Sequence, residues 1–412
     1  MNGRERVLAA IAHREPDGVP LDLGATASSG ISAIAYAAWK EYAGLSGGHT
    51  RVYDVVQQLA QPEDAVLDCL RVDAVDLGRA YNEEDAAWRP FTLPNGLAVE
   101  FPAWFHPVEQ PDGSWRAYAP DGTHIATMPA TGTFFDQACF PYQDGYPDSY
   151  AGLEEAMNKV LWQGLPLSPW DHAAEPDFWA DLRRRALALR ASSDRALMVV
   201  VGCNLFEWGT FLRRIDNFLM DLASEPDEVH RLLDALLERH MATLQKVCAA
   251  VGDVADIVRF CDDLGADRGT LMSPATYRQF FKPRQKIMLD YVRGHSAMHT
   301  FLHSCGSIYH ILPDLIEVGF EVFNPVQITA RNMEPQRLKQ EFGRDVTFWG
   351  GGCDTRHILN RGTPEAVKDH VRRNIETFAP GGGYVFNTVH NILPDVPPQN
   401  IAAMYAALDE YR

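Results

Sequence analysis

The chain has 412 residues, enough to bury a sizeable core as one large α/β fold or as two or three average domains. Its 37 basic and 55 acidic residues leave a formal charge of −18, which argues against a nucleic-acid backbone or an anionic membrane surface as main partner. The seven cysteines are widely spaced, odd in number and form no CxxC pair, so neither a disulfide scaffold nor a zinc ribbon is expected.

The opening stretch, MNGRERVLAAIAHREPDG, is amphipathic and has no apolar leader core or cleavage site. No run of 18 apolar residues occurs, and the expected location is a reducing cytoplasm. A short helix is predicted over 4–13, then a first strand, VPLDLG (19–24), then helices over 31–42 and 52–70. AVDLGR (74–79) reads as a second strand. From about 80 to 145 the texture changes to Gly, Pro, Asp and aromatics, with turn signals at Asn95-Gly96, Asp112-Gly113 and Asp121-Gly122. This predicts a β-rich, hairpin-bearing insertion that covers one mouth of the main fold. Strand and helix then alternate, with apolar strands at 196–203, 256–263, 298–303, 321–327, 346–353 and 383–390. Helices are predicted over 150–162, 175–192, 207–223, 226–249, 273–292, 307–318, 333–341, 364–378 and 398–411. Eight strands separated by helices, with no GxGxxG, predict a single (β/α)8 TIM-barrel domain over 1–412. An open doubly wound sheet with an inserted domain is the alternative.

A TIM barrel places its chemistry at the C-terminal ends of the strands. Polar groups collect there: Asp22, Asp76, Asn204 with Glu207 beyond it, Asp262 and Asp263, His303 and Cys305, Asn324 and Gln327, Cys353 and Asp354, and Asn387 and His390. Asp and Asn at such ends also cap helices and fix turns. Two adjacent carboxylates at 262–263 are costly on a buried strand unless used or paired. The stretch MHTFLHSCG (298–306) stands out, because residues i and i+2 of a strand share a face and His303 and Cys305 therefore project together. An imidazole and a thiolate side by side suit a soft divalent metal, zinc by default, although both residue types also occur simply as core. A catalytic zinc needs a third protein ligand, and chemistry alone leaves His390, Cys353, Glu207 and Asp263 open.

Three stretches, RERVLAAIAHREPDGVPLDLG, FLRRIDNFLMDLASEP and the tail from GTPEAVKDHV to NIAAMYAA, resemble the uroporphyrinogen decarboxylase superfamily along nearly the whole chain. That superfamily has a TIM-barrel fold and two branches, metal-free porphyrinogen decarboxylases and zinc-dependent corrinoid methyltransferases. The decarboxylases carry an Arg-rich segment close to RQAGRY. Here that region is LDLGATASSGISAIAYAAW, without an arginine between Arg14 and Arg51. The methyltransferases have His-x-Cys after the fifth strand and a late third ligand, usually Cys. Aligning the tails on PxxNI puts that ligand at His390, with Cys353 in reserve.

The resemblance implies a zinc set of His303, Cys305 and His390. Exchanging a thiolate for an imidazole raises the site's net charge, which favours polarising a neutral ether oxygen over activating a thiol. The implied activity is methyl transfer from a methoxylated compound, aromatic or otherwise, to the cobalt of a corrinoid. No corrinoid-binding Asp-x-His-x-x-Gly motif occurs in the chain, so the corrinoid would arrive on a partner protein. Glu207, Asp262 and Asp263 are the candidate catalytic acids. Asp22, Asp76, Asn204, Asn324, Gln327 and Asn387 are candidates for substrate contact. Trp208, Tyr384 and Phe386 are candidate pocket walls, with core packing as their other role. A homodimer is among the assemblies expected. The alternatives are a lyase acting on a porphyrinogen or another carboxylic acid, in which Asp22 or Asp76 stabilises pyrrole-type cations, and a non-catalytic barrel that binds a tetrapyrrole or corrinoid as carrier or chaperone.

Overall fold

The computed structural model describes residues 1–45 and 47–412. Seven parallel strands form one continuous sheet: Ala74–Asp76, Ala196–Gly202, Ile257–Cys261, His299–His303, Val322–Asn324, Thr347–Trp349 and Tyr384–Val385. Leu21 pairs in parallel with Phe386, and Asp22 with Ala74. Residues 21–22 thus occupy the eighth position between the last strand and the first of the seven, and the sheet curls into a TIM-type α/β barrel. Those two bridges set aside the open doubly wound alternative.

Side chains alternate along each strand. Ala74, Met198, Ile257, Phe301, Val322, Trp349 and Val385 pack together in one apolar cluster inside the barrel. Their neighbours Val75, Val199, Val258, Leu302, Phe323, Phe348 and Phe386 belong to the larger core beneath the helices. Both faces are buried, which is why these strands read as unbroken apolar runs.

The helices follow capping and periodicity. In Pro364–Phe378, Thr363 is the N-cap and accepts from the amide of Ala366, and Pro364 occupies the first turn. Val367, Val371, Ile375 and Phe378 form its buried stripe. Each such side chain is worth about 1.5–3 kcal/mol on burial, so a charge at Val371 would disrupt the packing of this helix.

The region predicted as one helix over 52–70 instead makes two short strands, Val52–Asp54 and Leu59–Ala60, before a helix at Asp64–Cys69. The Asp54 carboxylate accepts from the amides of Val56 and Gln57, Gln58 takes φ 53°, and Pro62 follows. This local turn chemistry overrides the helical period. The helix predicted over 207–223 breaks at Arg214, φ 68°, into Phe206–Arg213 and Ile215–Ser224. The helix predicted over 307–318 begins only at Leu312.

Between the second and third barrel strands the chain makes antiparallel pairs, Trp88–Thr92 with Ala98–Pro102 and a four-stranded sheet within 108–137. Gly96, Gly113 and Gly122, at φ 86°, 80° and 86°, sit in the turns of three hairpins. Hydrogen bonds tie this region to the rest of the chain. The amide of Phe135 donates to the carbonyl of Val56, and Gln137 donates to that of Phe211. Among the described residues no helix is long and apolar enough to cross a membrane.

Candidate metal centre

His299, Phe301 and His303 share one face of their strand, and Phe301 belongs to the cluster inside the barrel, so His303 also points inward at the strand's end. Two residues on, Cys305 Sγ lies 3.5 Å from His303 Nε2. His390, beyond the last strand, places its ring centroid 5.7 Å from that of His303. One donor atom from each of His303, Cys305 and His390 lies within 4.8 Å of the others. They form a compact N, N, S set of the kind that holds a tetrahedral divalent ion with one position open.

The neighbours orient this set. His303 Nδ1 is 2.6 Å from Asn324 Oδ1, and Asn324 Nδ2 donates to the carbonyl of Trp349 at 2.9 Å. The amide group is thereby oriented with its oxygen to the ring, Nδ1 carries the proton and Nε2 keeps its lone pair toward Cys305. The Cys305 amide donates to Asp263 Oδ1 at 2.8 Å, and the Gly306 amide to Gln327 Oε1 at 2.8 Å. Gly306, at φ 78°, lies under the backbone of a small hairpin, where an added Cβ would meet Gly265 and Ala266 at 2.4 Å. No other residue fits this turn.

Electrostatically the three donors suit a cation. Burial, with Arg259 and His390 nearby, pushes His303 well below the ordinary imidazole range, and burial likewise lowers His390, which favours the neutral form a metal would need from each. Burial, then the charge of Asp263, pushes the Cys305 thiol well up. A divalent ion would reverse that bias and offset the acidic neighbours. The residues present fit the metal.

The profile of the uroporphyrinogen decarboxylase (URO-D) family matches residues 204–411, just over half of the chain. The chain belongs to this family. It is 26% identical over 201 residues to the methylcobamide:CoM methyltransferase MtaA of Methanosarcina barkeri (strain Fusaro / DSM 804), covering 48% of this chain and 53% of that one. It is 42% identical over 192 residues to a uroporphyrinogen decarboxylase of Pseudoalteromonas translucida (strain TAC 125), covering 46% and 50%. The chain spans about half the length of the curated relatives it matches. A solved structure, described as a methyltransferase from Methanosarcina mazei, superposes with a TM-score of 0.57 at 18% identity over 100% of this chain and 99% of that one, a likeness of fold.

Around the donors this URO-D member arranges its acids in three ways. Asp262, fully buried, accepts from the amides of Leu205, Phe206 and Glu207 at 2.9–3.1 Å, so its carboxylate anchors the start of the helix Phe206–Arg213. Burial nonetheless raises it to about 7. Asp263 Oδ1 holds the Cys305 amide and lies 3.6 Å from His303 Nε2. Glu207 Oε2 receives the Asn204 amide at 2.6 Å, and burial, then the charges of Asp263 and Asp262, raise Glu207 well above the carboxyl range.

The remaining predicted residues divide. Asn324 and Gln327 act through the donors, as above, and Gln327 Nε2 also donates to Asp267. Asp22 is bonded to the Ala25 amide and the Trp349 indole, and burial raises it to about 6. Asp76, raised by burial to about 7, has one buried oxygen without a partner, and both polar atoms of Asn387 are likewise unpartnered. Cys353 is buried in the helix-side core, its thiol 3.9 Å from the Asp354 carbonyl, outside the donor group. Trp208, Tyr384 and Phe386 also lie in that core. Arg259 was not among the candidates. Its signal was a single cation at the centre of the apolar run DIVRFCDD.

Proposed function

We propose that this protein is a zinc-dependent methyltransferase that moves a methyl group from a methoxylated compound to the cobalt of a corrinoid carried by a partner protein. The observation that supports this most is the convergence of His303, Cys305 and His390 at the mouth of a URO-D-family barrel, with Asn324 fixing the His303 tautomer. Those three residues would hold the zinc, which when bound supplies Lewis acidity toward an ether oxygen. Asp263 and Gln327 keep the Cys305–Gly306 turn in place for that set. Glu207, kept protonated by burial and acidic neighbours, is the group we assign to hand a proton to the departing oxygen as the O–CH3 bond breaks. Asn204 aims it. To the hairpins of 88–137 we assign the regulation of a partner's access, which their bond to the Phe211 carbonyl through Gln137 supports.

The test is metal content together with methyl transfer. We expect about one zinc per chain, and methylation of reduced cobalamin by a methoxylated donor, both lost in His303→Ala and Cys305→Ser. The second reading, a lyase acting on a carboxylic acid, is supported by the unpartnered oxygen of Asp76 and by the relatives named uroporphyrinogen decarboxylases. Metal-free protein that stays metal-free after zinc supplementation, and that releases CO2, would favour it.

A further inference from the structure

Arg259 sits third in the strand Ile257–Cys261, on the same face as Ile257, and therefore points into the barrel. It is 7% exposed. A guanidinium carries five N–H donors and cannot discharge itself, so burying one demands an anion or full hydrogen bonding. Arg259 has neither. Nη1 meets the weak acceptor Cys261 Sγ at 2.7 Å, Nη2 donates to Ser28 Oγ at 3.2 Å, and Nε has no partner. It makes no ion pair among the described residues.

Its position ties it to the metal centre. Ser28 Oγ donates to Asn324 Oδ1 at 3.1 Å, the atom that also holds His303 Nδ1. Arg259 is thus two side chains away from a ligand imidazole. Other buried groups that feel its charge are also unsatisfied. Tyr53 Oη and Asp76 Oδ1 are buried without partners, and Tyr53, Asp76 and Asp22 all feel the Arg259 charge. Neither Asp76 nor Asp22 forms an ion pair with it among the described residues, and burial raises both. A permanent cation with a free N–H group presents a donor to an acceptor. The chemistry excludes a cationic ligand and fits an oxyanion; the side-on edge of a guanidinium matches the two oxygens of a carboxylate.

We propose that Arg259 is the specificity anchor of the site and binds a carboxylate on the methyl donor, so that the substrates are methoxylated carboxylic acids. This rests on the methyltransferase reading for the word donor, but the anchor itself can be tested without any corrinoid. Binding of 4-methoxybenzoate and of its neutral counterpart 4-methoxytoluene to zinc-loaded protein would be measured by titration calorimetry, with inorganic phosphate as a third probe. Wild type is expected to bind the carboxylate at least about 10-fold more tightly than the neutral ether. Arg259→Gln should lose about 10- to 100-fold on the carboxylate and nothing on the ether. Arg259→Lys keeps the charge without the fork and should fall between; it carries the comparison if the glutamine variant does not fold.

No preference in wild type, equal losses for both probes, or tighter binding of phosphate would overturn the carboxylate anchor. Selective carboxylate binding without methyl transfer to reduced cobalamin would leave the anchor standing and remove the methyltransferase reading. Transfer from both donors, insensitive to Arg259→Gln, would do the opposite.

Discussion

The two sides of the barrel mouth are built differently. Beyond the ends of the fourth to sixth strands most polar groups are bonded, Ser307 Oγ excepted. Asp262 takes three amides, Asp263 and Gln327 hold the Cys305–Gly306 turn, and Asn324 clamps His303. On the side of the first, second and last strands, buried atoms of Tyr53, Asp76 and Asn387 lack partners, and Arg259, reaching into the barrel from the fourth strand, has an unpartnered Nε. The first side is preorganised by the protein alone, which is what a metal centre requires. Unsatisfied groups on the second are costly unless something else binds them. We read the difference as a division of labour, with the metal held on one side and the organic substrate on the other.

The severest way to break that division is to remove a donor. His303→Ala and Cys305→Ser should each abolish stoichiometric zinc and lower methyl transfer by at least about 10³-fold, with near-native circular dichroism. Metal retained in either variant would dissolve the contrast, since the bonded side would then be no more than core.

The two buried acids sharpen it next. Burial raises both Asp262 and Asp76 to about 7, but only Asp262 is fully bonded. A carboxyl group whose folded pKa lies above its unfolded value contributes stability at low pH, and that contribution is lost as pH rises from about 4 through about 7. Asp76→Asn should remove this loss. The variant should be about 2–4 kcal/mol more stable than wild type at pH 8 and close to it at pH 4 in urea unfolding. Asp262→Asn removes the same pH dependence but leaves one amide to meet three backbone N–H groups, so at each pH it should be about 2–4 kcal/mol less stable than Asp76→Asn. Equal stability of the two variants would mean that the sides are not distinct.

A smaller effect is expected from the neighbour that orients His303. Asn324→Ala leaves all three donors but frees the imidazole to turn, and should weaken zinc binding about 10- to 100-fold in competition with a chelator. Affinity equal to wild type would show that packing alone orients the ring.

Much of this architecture was legible in the sequence, and the exceptions have physical causes. Strands buried on both faces leave unbroken apolar runs, so their number and order could be read before any coordinate. His303 and Cys305 were visible as neighbours because the strand period of two is local. His390 was not visible in that way. It lies 87 residues further on, and only the family resemblance pointed to it. The helix over 52–70 was misread because the turn that Asp54 builds is invisible to periodicity. The anchoring job of Asp262 depends on amides 55 to 57 residues away in sequence, which no spacing rule reports. Arg259 was passed over because one charge in an apolar strand has no meaning until the strand's inner face is known.

The mildest prediction bears on the third donor, for which the residues alone leave His390, Cys353, Glu207 and Asp263 open and the family resemblance keeps Cys353 in reserve behind His390. Cys353 Sγ faces the Asp354 carbonyl inside the helix-side core, while His390 stands opposite His303. Cys353→Ala should therefore cost only about 1 kcal/mol of packing and leave zinc content and chelator competition unchanged. His390→Ala should leave two donors, too few for a tight site, and release zinc to a chelator that wild type resists. If the results were exchanged, the chain would have to move Cys353 out of its core to reach the metal. The last strand would then no longer be the rigid wall that holds the third donor in place.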